Sequence, residues 1–208
     1  MEIIFRIASV LIGYAFGCIQ TSYLYGRYKA GIDIREHGSG SAGMTNVYRT
    51  LGYKAGIFVF VCDVLKGAAG FFVCLLIFPS LPYAALYGGI GVVLGHNFPA
   101  VLKFKGGKGI ASTIGVFLCL SWQVTLPVCA VGLALLFATR YVSLTSLAIV
   151  LLFPIGLLIA GYSPEPVAVC AVASAMAFIM HRENIKRLFT GCERKFELKK
   201  KPPGAGKE

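Results

Sequence analysis

The chain has 208 residues, 57% of them hydrophobic and only 14% charged, with a mean hydropathy of +0.75. An average soluble chain carries about 25% charged residues, so this one lacks the charge to cover a water-facing surface, and an ordinary soluble domain is excluded. The charges present are unbalanced, 20 Lys and Arg against 9 Asp and Glu for a net +11, which points to a polytopic membrane protein with basic loops gathered on one side.

A helix needs about 20 apolar residues to cross the hydrocarbon core. The first apolar run, 3–25, is too long for a signal-peptide core, and no A-x-A-like cleavage site follows it. It reads as a retained span. A basic stretch, 27–54, comes next. It contains Gly38, Ser39, Gly40, Ser41, Ala42, Gly43, Met44, Thr45, Asn46, Val47, Tyr48 and Arg49 in succession. Glycines let successive backbone N–H groups point at one anion. Ser39, Thr45 and Asn46 add neutral donors, and Arg49 adds a forked one. Gly38, Gly40 and Gly43 fit G-x-G-x-x-G, but a span precedes them and no βαβ unit follows. The segment is therefore a phosphate cradle rather than a dinucleotide site.

The run 55–78 contains Asp63 and Lys66. Three residues apart on a helix, they share a face and can pair. Charges inside a span mark functional or site-supporting positions. The run 83–102 leads into a second motif, from Gly95, His96 and Asn97 to Gly106, Gly107, Lys108 and Gly109. It resembles a phosphate loop, yet the Walker pattern needs glycine where Leu102 stands. No nucleotide is implied, but a lysine framed by glycines at the start of a span still suits an anion.

The run 110–139 is too long for one simple span and carries Ser121, Trp122 and Gln123 in its middle, with Pro127 just beyond. A third polar motif, Arg140 to Ser146, includes Ser143. Runs 143–161 and 166–180 follow, joined by a turn without a basic residue. The fourth motif holds His181 and Asn184, which share a helical face. From Phe196 onward the chain reads as a basic, disordered tail.

Basic residues cluster at 27–54, 103–108, Arg140 and 182–207, and the positive-inside rule puts all four places in the cytoplasm. Parity then fails only at 110–139. Splitting that run at Ser121 to Gln123 restores it and gives seven spans, with the N-terminus outside and the C-terminus inside. One tilted helix, with Arg140 outside, is the alternative. All four motifs then face the cytoplasm. The seven cysteines form no CxxC pair, and six lie in apolar runs, so neither a disulfide framework nor a zinc site is expected.

Three segments, GSGSAGMTNVYRTLG (38–52), GHNFPAVLKFKGGKGIAST (95–113) and HRENIKRLFTGCE (181–193), carry a resemblance to the bacterial membrane glycerol-3-phosphate acyltransferases that use acyl phosphate. The milder signals at 26–36, 63–67 and 140–146 fit as well. The family usually has Asn where Ser41 stands and Ala where Met44 stands. The resemblance implies an all-α fold of seven transmembrane helices with the N-terminus outside. It implies one membrane domain, 1–195, and a tail, 196–208. The reaction it implies is acyl transfer from a fatty acyl phosphate to the 1-hydroxyl of glycerol 3-phosphate, giving lysophosphatidic acid and inorganic phosphate.

Under that resemblance the catalytic residues are Ser39, Arg49, Lys108, His181 and Asn184. Substrate-binding positions are Gly38, Gly40, Gly43, Thr45, Asn46, His96, Asn97, Gly106, Gly107 and Ser143. Acyl phosphate is already activated, so the protein has mainly to hold two phosphates and align the hydroxyl. The donor's own phosphate is the favoured acceptor of the hydroxyl proton, with His181 as the other candidate. No metal, cofactor or nucleic acid is implied. The expected setting is the bacterial inner membrane, with the site facing the cytoplasm. The expected partners are membrane lipid and a soluble enzyme that produces acyl phosphate. Two other readings stay open: a transporter for an organic phosphate, and a scaffold that binds anionic lipid through residues 182–207.

Overall fold

The computed structural model describes residues 2–196. Among these the chain is all helical, with no strand. The helices are α1 (Glu2–Gly17), α2 (Thr21–Ala30), α3 (Met44–Leu51), α4 (Tyr53–Ile77), α5 (Ala84–Asn97), α6 (Ile110–Leu120), α7 (Trp122–Thr139), α8 (Val142–Ile159), α9 (Pro164–Met180) and α10 (Arg182–Phe189). Short 3₁₀ turns lie at Ile34–Glu36 and Ala100–Leu102.

Five stretches are long and apolar enough to cross a membrane: Glu2–Ala30, Tyr53–Ile77, Ala84–Leu102, Trp122–Thr139 and Val142–Ile159. The pair α9 and α10, bent by 63°, makes a sixth if it counts as one span. The long apolar run at 110–139 is broken at Ser121, where the backbone is extended at φ −158°. Its first part, α6, has only 11 residues. At 1.5 Å per residue that is about 16 Å, short of the roughly 30 Å hydrocarbon core. The expected count of seven therefore meets five or six helices of spanning length. Of the expected tail, 196–208, residues 197–208 lie outside the described residues. Its first residue, Phe196, is described and packed: its ring lies 4.8 Å from that of Tyr48, and its N–H donates to Arg140 O at 2.7 Å.

The bundle is held by close helix approach rather than by large interlocking side chains. A Cβ at Gly13, Gly91 or Gly95 would strike the backbone of the facing helix across the α1–α5 contact. Gly67 and Gly115 bring α4 and α6 together in the same way. In lipid there is little hydrophobic gain between helices, so small residues that let backbones approach carry the packing. The inner layer also has aromatic filling, with Phe117 and Phe153 stacked at 3.6 Å. Large apolar side chains such as Ile3, Leu76, Phe137 and Ile159 are exposed on the outside, as a lipid-facing surface requires.

The two ends differ. One end is closed by Glu165, which pairs with Arg6 at 3.0 Å and accepts from the Tyr87 hydroxyl at 3.0 Å. The other end gathers the α2–α3 connection, the α5–α6 loop, the α7–α8 turn and α10. Those are the four polar motifs of the sequence.

Candidate active site

The first glycine loop is built from below by Asn46. Its Oδ1 accepts from the Ser39 N–H at 2.8 Å, and its Nδ2 donates to Ile34 O and His37 O at 2.9 and 3.0 Å. Gly38 and Gly40 have φ of +63° and +72°, and a Cβ on Gly38 would meet the Asn46 side chain. Only glycine fits that backbone at low cost. Asp33 anchors the approach to the loop. It accepts from the Arg35 guanidinium at 2.7 Å, and this bond holds its carboxyl down to about 2. Arg35 also donates to Leu102 O at 3.2 Å, which ties this loop to the next. Ser39 itself is exposed.

The second glycine loop folds back onto the end of α5. Gly107 N–H donates to His96 O at 3.0 Å, and Gly106 N–H to Asn97 O at 3.3 Å. The two glycine loops touch where the Ala42 N–H donates to Gly106 O at 3.4 Å. His96 and Asn97 are both buried, at 3% and 1% exposure. With Asn46, they form a supporting layer under the glycine loops. His96 bonds Lys66 at 2.8 Å. The Asp63–Lys66 pair expected from spacing is present at 2.7 Å, and both residues are buried.

Lys108, next in the loop, donates to Asn184 Oδ1. Burial pushes its ammonium down to about 8; Arg187 and Arg49 act the same way, while Glu193 opposes them. Around this lysine the remaining motifs converge on one carboxylate. Glu193 Oε1 accepts from Ser143 at 2.9 Å and from Asn184 Nδ2 at 2.7 Å, and Oε2 accepts from Arg187 Nε at 2.7 Å. Burial alone would raise the Glu193 carboxyl, but the bonds from Asn184, Arg187 and Ser143 outweigh it and leave it below its ordinary value. Arg49 reaches the same segment by donating to Arg194 O at 3.3 Å. Its guanidinium is lowered by burial and by the Arg194 and Arg187 charges, and Glu193 opposes this.

His181 is buried at the bend between α9 and α10, and its Nδ1 lies 2.8 Å from Ala177 O. A carbonyl only accepts, so Nδ1 carries the proton and Nε2 is left as an acceptor. Among the described residues no group of His, Cys, Asp and Glu has the arrangement of a metal site.

The structure thus joins Lys108, Asn184, Ser143 and Arg49 with two residues that sequence reasoning gave no role, Arg187 and Glu193. Both stand within the 181–193 segment that carries the family resemblance, Arg187 at the end of the fourth motif and Glu193 beyond it. The usable signal was Glu193 itself, an acid inside a basic segment just after Gly191, whose φ of +70° turns the chain back over the site. Thr45 lies beside the first loop, and its hydroxyl is 3.8 Å from the Met44 sulfur.

A helical membrane bundle with glycine loops and converging cations at one end defines the class, an integral membrane protein. The comparisons give the family. Residues 7–191 match the glycerol-3-phosphate acyltransferase family model. The chain is 44% identical over 190 residues to a glycerol-3-phosphate acyltransferase of Alkaliphilus metalliredigens, covering 91% of this chain and 95% of that one. It is 41% identical over 204 residues to one of Clostridioides difficile, covering 96% and 100%. Its fold is similar to that of PlsY (YgiH), an integral membrane glycerol 3-phosphate acyltransferase, in its glycerol 3-phosphate form. The TM-score is 0.86 at 36% identity, over 92% of this chain and 96% of that one. The lysophosphatidic acid form of PlsY gives 0.84 at 35% identity, over 92% and 95%. The chain belongs to the glycerol-3-phosphate acyltransferase family.

Proposed function

We propose that this protein transfers a fatty acyl group from acyl phosphate to the 1-hydroxyl of glycerol 3-phosphate. The products are lysophosphatidic acid and inorganic phosphate. The observation that carries the reading is the grip on Glu193. Ser143, Asn184 and Arg187, with Lys108 and Arg49 beside them, already hold one anionic group at the end of the bundle. A site that neutralises a carboxylate there has the donors that phosphate needs. Glycerol 3-phosphate and lysophosphatidic acid are the ligands of the solved PlsY forms.

Ser39, Arg49, Lys108, His181 and Asn184 act on the reacting groups. Gly38, Gly40, Gly43, Thr45, Gly106, Gly107 and Ser143 line the substrates, while Asn46, His96 and Asn97 act from the layer beneath. The acyl carbon–oxygen bond to phosphate breaks as the bond to the glycerol oxygen forms. The leaving phosphate takes the hydroxyl proton. His181 orients the acceptor, its Nε2 free to accept from the neighbouring 2-hydroxyl while the 1-hydroxyl proton passes to the phosphate. An activated donor explains why no nucleophile need be built.

The membrane placement follows the charges. Residues 1–195 form one domain of seven spans with the N-terminus outside. α6 serves as a short crossing, because the loop before it is inset: Leu102, Gly107 and Gly109 are buried. Irregular backbone at depth is tolerated where protein surrounds it. The basic end faces the cytoplasm of a bacterial inner membrane, where a soluble enzyme supplies the acyl phosphate. Mass spectrometry of the product tests the reading. Purified protein given glycerol 3-phosphate should make lysophosphatidic acid from palmitoyl phosphate and none from palmitoyl-CoA. The reverse preference would reject the donor.

A further inference from the structure

Asp63 is the eleventh and Lys66 the fourteenth of the 25 residues of α4, well inside a spanning helix. Neither touches the cluster around Lys108. Both are buried, together with His96 on α5. Lys66 Nζ has three neighbours: Asp63 Oδ1 at 2.7 Å, Ile19 O at 2.9 Å and His96 Nδ1 at 2.8 Å. The contact with Asp63 is an ion pair without a hydrogen bond, while the other two are hydrogen bonds, and an ammonium only donates. Nδ1 of His96 must then accept, which puts the ring proton on Nε2 and fixes the plane of the imidazole.

That ring edge meets the loop that carries Lys108. A Cβ on Gly107 would collide with His96 Nε2 and with Ala42 O. The backbone of the same histidine accepts from the Gly107 N–H at 3.0 Å and from Gln20 Nε2 at 3.1 Å. Gly107 is thus gripped by the carbonyl and the ring of one residue, and Lys108 follows directly. The ring edge also sits where the two glycine loops meet. A buried ion pair is weak evidence for stability, because apolar residues of like size often serve as well or better. Charges inside a span are costly, and they are kept where they do something.

We propose that Asp63, Lys66 and His96 are positioning residues: a buried relay that fixes the Gly106–Lys108 loop and so aims the Lys108 ammonium at the substrate phosphate. The inference rests on Lys108 as a phosphate ligand. The relay acts through the imidazole orientation, and through Ile19 it ties the α1–α2 junction to the same loop.

The test is a double-mutant cycle read as glycerol 3-phosphate affinity, by calorimetry on detergent-purified full-length protein. Thermal unfolding is followed in parallel. The set is wild type, Lys66→Met, Lys108→Met and the double variant. Lys66→Met should weaken binding by at least about tenfold, as supporting-layer changes do. The double variant should bind within about twofold of Lys108→Met alone, because residues acting through one another are not additive. Lys66→Arg should recover part of the loss. Weakening that multiplies in the double variant would overturn the relay. So would wild-type binding by Lys66→Met while Lys108→Met fails to bind. If Lys108→Met binds like wild type, the reading of the phosphate site falls, and the relay with it. Asp63→Asn/Lys66→Met removes both charges and carries the same cycle where Lys66→Met does not fold. If neither variant folds, the cluster is a folding element and the proposal is rejected.

Discussion

Asn184 donates its side-chain amide to Glu193 at 2.7 Å, and its carbonyl oxygen accepts from Lys108. One side chain therefore holds both the Glu193 carboxylate and the Lys108 ammonium. Glu193→Ala would leave Ser143, Asn184 and Arg187 without their shared acceptor. Each unpaired buried group costs about 1–3 kcal/mol. Activity should fall by roughly 10- to 100-fold, the rate equivalent of about 1.4–2.7 kcal/mol. Glu193→Gln should retain more than Glu193→Ala. Equal, near wild-type rates for both would show that the carboxylate has no part in the site.

The Lys108 ammonium, held near 8, gives a pH signature. Its charge is lost as pH rises through that value, and with it the attraction for phosphate. The kcat/KM for glycerol 3-phosphate should decline above about pH 8, since this ratio reports the free enzyme. Lys108→Arg keeps the charge at all accessible pH and should lose that alkaline limb, whatever its absolute rate.

Glu193 and Asp33 give the opposite acid behaviour. Both carboxyls sit below their ordinary values in the fold. A depressed carboxyl adds stability above its unfolded pKa, and that stability disappears as pH falls through the folded value. For Asp33 the window runs from 3.8 down to about 2. Asp33→Asn should flatten the loss of thermal stability across that window. An unchanged acid profile would place the sensitivity elsewhere.

His181→Gln tests the proton transfer. A loss of about 10²–10⁴-fold in kcat with binding intact matches a general base. A smaller loss matches the orienting role of Nε2, which is the outcome expected here.

Gly91→Ala tests the packing. The added methyl would strike Val10 O across the α1–α5 contact. Overpacking costs about 1–3 kcal/mol, and the melting temperature in detergent should drop without a change in KM.

Charge, hydropathy and spacing make the helical class, the break near Ser121 and the Asp63–Lys66 pair legible in the sequence. Each is a local property of composition or spacing. The glycine loops were also legible, because glycine has few other reasons to cluster with Ser, Thr and Arg. The layering within the site was not. Asn46, His96 and Asn97 stand in the same motifs as Ser39 and Lys108, and a linear string does not show which side chain turns down. Glu193 was hidden for a related reason: its partners Ser143, Asn184 and Arg187 come from two separate helices, so its role exists only once α8 and α10 meet.

Phosphate release from palmitoyl phosphate, followed with and without glycerol 3-phosphate, is the most direct check that this end of the bundle is an acyl-transfer site. Wild-type protein should release phosphate only when glycerol 3-phosphate is present, and Arg49→Ala and Lys108→Met should abolish release while staying folded. Release that ignores glycerol 3-phosphate, or survives both substitutions at the wild-type rate, would refute the assignment.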